Sequence, residues 1–305
     1  MSHRLIRHTF SALVLIILAV PAPSVFAWGD EGHEIVGVIA NARLTPAVKK
    51  KVDALLGADK DKLTAADFVS RMTWADKYRD SDRHSTKVHY NATHNWHFVD
   101  IEIDGGNIDS ACNNHPKLPP ATAASAGPAK DCVVDKIAQF IVELRDSPAA
   151  KPEKILALKF LLHFVGDLHQ PLHAADHKDR GGNQVPVLFG NRTKPDDLHS
   201  YWDTELVQRL GHEPRAVGAS LNKQITKAKA EEWSKGTITD WAKGSFGQAK
   251  SVVYNFSGEQ QFIDDHGGKG EHLDAAYDNR ALPVVREQLS KAGVRLAAVL
   301  NDALK

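Results

Sequence analysis

The chain has 305 residues, and its 38 lysines and arginines balance 38 aspartates and glutamates, so the formal net charge is zero with neutral histidines. This balance argues against a general basic surface of the kind that binds duplex DNA or RNA. It does not exclude a nucleic acid that is held by local charge, such as bound metal ions. Histidines are frequent, at 16, whereas only two cysteines occur.

The first 27 residues have the pattern of a secretory signal peptide. Arg4 and Arg7 precede an apolar run over 10–20 that is too short for a membrane span, and Val25 and Ala27 suit cleavage after Ala27. The remaining 278 residues carry 36 lysines and arginines against 38 acidic residues, a net charge of −2. These features predict a signal peptide over 1–27, a single domain over 28–305, a secreted or periplasmic location and no membrane span.

Hydrophobic periodicity predicts a mostly helical chain. In chain order, helices are predicted over 33–44, 46–56, 65–78, 132–145, 152–168, 198–210 and 283–304. Thr45 and Pro46 are typical of a helix start and Gly57 of a helix end. Between 212 and 282 the pattern is less clear, with amphipathic pieces near 218–233 and 237–250.

Two short segments favour extended structure. WHFVDIEI (96–103) ends at an Asp-Gly-Gly turn, and VPVLF (185–189) is rich in β-formers. In the first segment, His97 and Val99 would face one side, and Phe98 and Asp100 the other. The predicted fold class is therefore mostly α, a single multi-helix domain with a few short strands.

Cys112 and Cys132 are the two cysteines of the chain. In an exported protein such a pair favours a disulfide over a metal site. Prolines and a glycine lie between them, so the bond would close an irregular loop. In the chain-entropy model, a loop of this size stabilises the folded state by roughly 3 kcal/mol.

The segment HFVGDLHQPLH (163–173) follows an apolar helical run and is the richest in candidate metal ligands. His163 and Asp167 are four residues apart, so they share one helix face, and Pro171 redirects the chain before His173. A histidine and a carboxylate at this spacing suit zinc. For a single pair of this kind, a capped helix end with solvated histidines is the favoured explanation.

Further His/Asp segments favour a metal site over that simpler explanation. His199 and Asp203 repeat the spacing on another helix, Asp76 lies in TWAD, and HNWHFVD supplies His94, His97 and Asp100. No arrangement of Cys, Ser or Lys nucleophiles accompanies them. Together the segments predict a multinuclear site of imidazoles and carboxylates, suited to Zn²⁺ as Lewis acid and hydroxide generator.

WGDEGH (28–33) follows the predicted cleavage site directly. A free α-amino group has a pKa near 8 and loses its proton readily to a metal. The amine and carbonyl oxygen of Trp28 could therefore chelate a metal together with His33. The alternative is that Trp28 only anchors the N-terminus in an apolar groove.

These motifs occur in the order found in a known enzyme family. WGDEGH, TWAD, WHFVD, HFVGDLHQPLH, RGGN and DLHSYWD resemble the zinc-dependent single-strand-specific nucleases of mung-bean-nuclease type, over residues 28 to about 206. That family is similar in fold and metal arrangement to zinc-dependent phospholipase C. The resemblance implies an endonuclease for single-stranded DNA and RNA that leaves 5′-phosphates and acts also on 3′-nucleotides. A monomer is expected, and the sequence leaves the oligomeric state open.

The resemblance also implies a role for each motif residue, with three zinc ions per chain. One zinc would be held by Asp76, His97, His163 and Asp167, a second by His173, His199 and Asp203, and a third by Trp28, His33 and Asp167. Asp100 resembles the catalytic carboxylate, Phe98 the aromatic that stacks on a base, and Asn183 a residue at the rim of the base pocket. His169 is expected beside the ligands or exposed, and His94 and His177 lie off the motif positions.

Two other functions remain open at this point. In phospholipase C-like phosphodiesterases the last ligand carboxylate is typically Glu, whereas this chain has Asp203. A non-catalytic zinc protein would use closed sites, whereas the second zinc would have only three protein ligands. Both observations favour the nuclease.

Overall fold

The computed structural model describes residues 28–145, 149–258, 260–264 and 267–305. The predicted signal peptide, residues 1–27, lies outside the described residues. Among the described helices, none combines the length and apolar character that crossing a membrane requires.

Four long helices build the core that carries the site. They are α1 (Gly29–Asn41), α6 (Val133–Arg145), α7 (Lys151–Asp167) and α13 (Ala275–Ala303). From Ala157 onward α7 is buried on all sides, whereas α6 is amphipathic and packs against it. A Cβ added at Gly293 would lie 2.5 Å from Ile39 Cβ, so glycine is what allows α13 to approach α1 this closely.

The other helical elements are short and connect or cover this core. The α-helices are α2 (Pro46–Leu56), α3 (Trp74–Asp80), α4 (Val88–Thr93), α5 (Ile108–Ala111), α8 (Leu198–Ser200), α9 (Leu206–Gln208), α10 (Pro214–Gln224), α11 (Lys227–Trp233) and α12 (Ile238–Gln248). Single 3₁₀ turns occupy Ser70–Thr73, His94–His97, Ala124–Ala126 and Pro171–His173, and π-helical turns occupy Tyr201–Glu205 and Ala249–Val253.

A small mixed sheet lies beside the helices. Its strands are β1 (Pro186–Phe189), β2 (Asp196–Asp197), β3 (Gln260–Ile263) and β4 (Lys269–Leu273), in the order β2-β1-β4-β3. β1 pairs parallel with β4, with Val187 opposite Glu271, and the other two pairs are antiparallel. The fold is thus mostly α with a few short strands, as the sequence predicts.

Most predicted helices are confirmed, with shifted ends. Thr45 caps α2 by accepting from the Val48 amide at 3.3 Å, as its position before Pro46 predicts. The last helix starts at Ala275, earlier than predicted, because Asp274 caps it and Pro283 is accommodated inside it. The helix predicted over 198–210 is present but is interrupted by the π-helical turn that carries Asp203.

Two predicted elements differ from the structure. The α-helix predicted over 65–78 begins only at Trp74 and is preceded by the 3₁₀ turn Ser70–Thr73, whose first amide, that of Ser70, donates to the Asp67 carboxylate at 3.2 Å. The extended segment over 96–103 begins only at Phe98 and joins no sheet. Its Val99 amide donates instead to the His173 carbonyl at 2.8 Å, which ties the segment to the predicted ligand loop.

Two details of these predictions are confirmed. His97 and Val99 are buried whereas Phe98 and Asp100 are partly exposed, so the predicted alternation holds. Cys112 and Cys132 form the predicted disulfide.

Candidate metal centre

Helix α7 delivers the central pair of the site. His163 and Asp167 lie one turn apart on its buried C-terminal part, with His163 Nε2 3.2 Å from Asp167 Oδ1. His163 Nδ1 is 2.7 Å from the Met72 carbonyl oxygen, which can only accept. Nδ1 therefore carries a proton, and Nε2, which faces the carboxylate, is the nitrogen that would be available to a cation.

Helix α1 brings His33 against the same carboxylate. His33 Nε2 lies 3.1 Å from Asp167 Oδ1, and the His33 ring stacks on the His163 ring with centroids 3.9 Å apart. A Cβ added at Gly166 would lie 2.8 Å from His33 Nδ1. The glycine before Asp167 is therefore what makes room for His33.

Helix α3 and the 3₁₀ turn His94–His97 supply the other side of this group. His97 Nδ1 is 3.0 Å from Asp167 Oδ2 and 3.4 Å from Asp76 Oδ1. Asp76 Oδ1 is also 3.5 Å from His163 Nε2. Asp167 consequently has His33 and His163 at one oxygen and His97 at the other, as a carboxylate that bridges two cations would.

A second group is joined to the first through the backbone carbonyl of His97. His173 Nε2 is 3.0 Å from His199 Nε2, which is 3.2 Å from Asp203 Oδ2. Their Nδ1 atoms donate to the carbonyls of His97, at 2.8 Å, and Gly181, at 2.6 Å. The Nε2 atoms of the two rings therefore face each other and are the nitrogens that would be available to a cation.

The electrostatics of both groups favour a bound cation. Burial lowers the pKa of His163, but Asp167 and Asp76 outweigh it and raise the pKa to about 10. In the second group burial is likewise outweighed by Asp203, and the pKa of His199 rises to about 9. The neighbouring imidazoles hold the pKa of Asp167 well below its usual range despite burial.

The donor chemistry fits zinc. Within the described residues, three triads made of histidine and aspartate bring donor atoms together within 4.8 Å: His33 with His163 and Asp167, Asp76 with His97 and His163, and His173 with His199 and Asp203. Buried His163 Nε2 and Asp167 Oδ1 have no hydrogen-bond partner in the described part of the chain. Imidazole and carboxylate donors of this kind are zinc ligands. A fourth triad contains Cys112 and Cys132, whose sulfurs are used in the disulfide.

Comparison with known proteins agrees with this geometry. The sequence model of the S1/P1 nucleases matches residues 28–305. The chain belongs to the S1/P1 nuclease family. It is 28% identical to Endonuclease 2 of Arabidopsis thaliana over 96% of both chains. It is also 28% identical to Nuclease S1 of Aspergillus oryzae over 90% of this chain and 91% of that one, and to Nuclease P1 of Penicillium citrinum over 90% and 97%.

Family membership confirms the predicted resemblance. This S1/P1 nuclease is a metal-dependent hydrolase of phosphodiester bonds, and its substrates are nucleic acids. Of the nine predicted ligands, eight belong to the three triads. Trp28, the ninth, is fully buried at the start of α1. The chain passes close to the backbone of Asp203 at this point, because a Cβ added at the next residue, Gly29, would lie 3.2 Å from the Asp203 carbonyl oxygen.

A cavity of about 260 Å³ opens onto both groups of this S1/P1 nuclease. His97, His173 and His199 form part of its wall, and the three predicted substrate or catalytic residues, Phe98, Asp100 and Asn183, line it too. The Asn183 amide donates to the Arg180 carbonyl at 2.7 Å and closes the RGGN turn.

Asp100 has an unusual environment in this cavity. Burial and the nearby Asp176 raise its pKa to about 7, against a weaker opposing effect of His199. A carboxylate with a pKa near neutrality can both hold and release a proton at physiological pH. This matches the requirement for a general base.

Several residues that the sequence reasoning missed also belong to the site. Arg79 is buried, with Nη1 2.7 Å from Asp76 Oδ1, and lines the cavity. Its position three residues after Asp76 in WADKYR was the available signal. Gln170 is buried and donates to Asp203 Oδ1 at 2.6 Å.

Two histidines outside the ligand sets differ in their surroundings. His169, expected beside the ligands or exposed, is fully buried. Its Nδ1 donates to the Val165 carbonyl at 2.7 Å and its Nε2 accepts from Arg295 at 2.7 Å. His177 is exposed and lies 3.3 Å from Asp104.

Proposed function

We propose that this chain is a zinc-dependent endonuclease that hydrolyses single-stranded DNA and RNA to 5′-phosphate products and removes the phosphate of 3′-nucleotides. One observation carries the proposal. Two buried His/Asp groups reach the wall of a single cavity that also presents an aromatic ring, Phe98, and a carboxylate, Asp100, whose pKa is about 7.

Three zinc ions would be held by the residues already described. Asp76, His97, His163 and Asp167 would hold one, and His173, His199 and Asp203 another. Trp28, through its amine and carbonyl, would hold the third with His33 and Asp167. Zinc supplies Lewis-acid chemistry, which polarises a phosphate and lowers the pKa of water.

Charged side chains of the cavity would assist hydrolysis. Asp100 would accept a proton from the attacking water, for which its raised pKa suits it. Arg79 would place positive charge beside the phosphate, and its guanidinium is kept in place by Asp80, to which Nε and Nη2 donate at 3.0 and 2.8 Å.

Phe98 would give the preference for single strands. A base that lies on this ring gains about 1–3 kcal/mol of stacking. A duplex must first unpair and unstack that base, which costs a few kcal/mol. Asn183 would contact the base at the rim of the cavity.

Signal-peptide removal would complete the third zinc site. Cleavage after Ala27 would free the Trp28 amine, and the family match begins at residue 28. The proposal therefore includes a signal peptide over 1–27 and secretion or a periplasmic location.

Two preparations test this function. One would begin at Trp28 and the other would keep one extra residue before it, and each would be loaded with zinc. We expect the first to bind three zinc ions by elemental analysis and to cleave single-stranded DNA, and the second to bind two with a large loss of activity. Chelator should abolish activity, and zinc should restore it.

Other outcomes would contradict parts of this proposal. Equal zinc content and activity in both preparations would remove Trp28 from the ligands. Chelator-resistant cleavage would contradict metal dependence. Cleavage of choline phospholipids in place of DNA would favour the phospholipase C-like function.

A further inference from the structure

Three arginines line the cavity, and one of them, Arg79, is bound by carboxylates of the protein itself. The Arg79 guanidinium donates to both Asp80 oxygens and lies 2.7 Å from Asp76 Oδ1. The other two, Arg83 and Arg180, come from segments nearly a hundred residues apart. Unlike that of Arg79, their guanidiniums form no hydrogen bond to a described residue.

Arg83 follows α3, and the N–H groups of its guanidinium are available to a ligand. Its nearest carboxylate oxygen, Asp80 Oδ1, is 3.8 Å away and already accepts from Arg79. The guanidinium forms no hydrogen bond within the described ranges. It lies instead over the Tyr90 ring, 5.2 Å from the centroid, which holds its plane without using its N–H groups.

Arg180 lies in the RGGN turn and is also uncommitted. Its φ is 60°, an unfavourable conformation for a side chain with a Cβ. Its exposed guanidinium has no ion pair or hydrogen bond to any described residue. The neighbouring acids contact backbone amides and not this guanidinium: Asp176 accepts from the Gly181 amide at 3.1 Å and Asp179 from the Gly182 amide at 2.8 Å.

Both guanidiniums act on the same part of the cavity. Burial lowers the pKa of His94 to about 4, and Arg79, Arg180 and Arg83 contribute to the decrease. The His94 ring is 5.3 Å from the Phe98 ring and perpendicular to it. Positive charge from both guanidiniums therefore lies near His94, whose ring neighbours the Phe98 ring in the same cavity.

We propose that Arg83 and Arg180 form a phosphate subsite for the nucleotides next to the scissile bond. The inference rests on the proposed function, in which the metal groups serve the reacting phosphate. Guanidinium forks match phosphate oxygens, and stacking on Tyr90 preorganises one of them. The subsite would make this enzyme select a polynucleotide over a substrate with a single phosphate, although the chain as a whole is not basic.

The test compares substrates with and without neighbouring phosphates. A dinucleoside monophosphate contains only the reacting phosphate, whereas a single-stranded hexanucleotide adds its neighbours. We expect R83Q and R180Q each to lower kcat/KM for the hexanucleotide about tenfold, the effect of one lost charge-assisted hydrogen bond. For the dinucleoside monophosphate, kcat/KM should change less than about twofold.

The salt dependence provides a second readout that a structural defect would not reproduce. The double variant R83Q/R180Q should reduce the slope of log(kcat/KM) against log salt for the hexanucleotide by about 1.4, since each phosphate contact on a single strand contributes about 0.7. Lysine at both positions should restore most of the slope. R286Q, which removes an exposed arginine outside the cavity, is the matched control and should leave both measurements unchanged.

Equal losses on both substrates would overturn the proposal, because the arginines would then act on the reacting phosphate or on the fold. Unchanged activity or an unchanged salt slope would also overturn it. Failure of the proposed function would look different, since the zinc-loaded wild-type enzyme would then cleave neither substrate.

Discussion

Replacing Asp100 with asparagine should stabilise the metal-free protein above neutral pH. Burial and Asp176 raise the pKa of Asp100 from 3.8 to about 7 in the folded state. Its contribution to stability is therefore fully present below pH 3.8 and is lost as the pH rises through about 7. A difference of about three pKa units corresponds to about 4 kcal/mol, an upper limit because part of the side chain faces solvent.

The free energy of unfolding would be measured by urea titration of chelator-treated protein between pH 4 and pH 8. Asp100→Asn should match the wild type near pH 4 and exceed it increasingly up to pH 8, while zinc-loaded nuclease activity falls about 10²–10⁴-fold. Asp104→Asn, at a carboxylate whose side chain is 70% exposed, is the control and should show no such divergence. An Asp100→Asn protein that is no more stable than the wild type at pH 8 would refute this account of the site.

Three further predictions concern the parts that hold the site. Gly166→Ala should displace His33, because the added Cβ would lie 2.8 Å from its Nδ1. The zinc content should then fall from three toward two without unfolding of α7, and three retained zinc ions would contradict this. Gln170→Leu removes the 2.6 Å hydrogen bond to Asp203. Zinc binding at the site of His173, His199 and Asp203, measured by competition with a chelator, should weaken about 10–100-fold. An unchanged affinity would show that Asp203 does not need this hydrogen bond. Replacing Cys112 and Cys132 with alanine should lower the free energy of unfolding by about 3 kcal/mol in urea titrations and leave activity intact, and a loss below about 1 kcal/mol would contradict the loop-entropy argument.

Local pattern was sufficient for much of the fold. Apolar periodicity located α6 and α7, and the Thr45-Pro46 pair located the start of α2. It failed over 65–73, where the chain forms a 3₁₀ turn at Ser70–Thr73 and the α-helix begins only at Trp74. It also missed β3 and β4, because strands this short depend on their partners, and β4 pairs with the distant β1 while β3 pairs with β4.

The candidate ligands show the same division. His163 and Asp167 could be paired from sequence because the helix period places residues four apart on one face. The repeated His/Asp segments added Asp76, His97 and His199 to the candidates, whereas their assignment to particular zinc ions came only from the family resemblance. Nothing local could have shown that His33 would need the space left by Gly166.

The sequence by itself determined the residue types, their spacing on single helices and the cysteine pair that forms the disulfide. The tertiary structure decided which segments meet. It placed Asp167 between His33, His163 and His97, and gave Asp203 a buried partner in Gln170. It also separated the committed Arg79 from the open arginines of the cavity. Such contacts arise from packing between residues far apart in the chain, which hydrophobic period and turn chemistry do not encode.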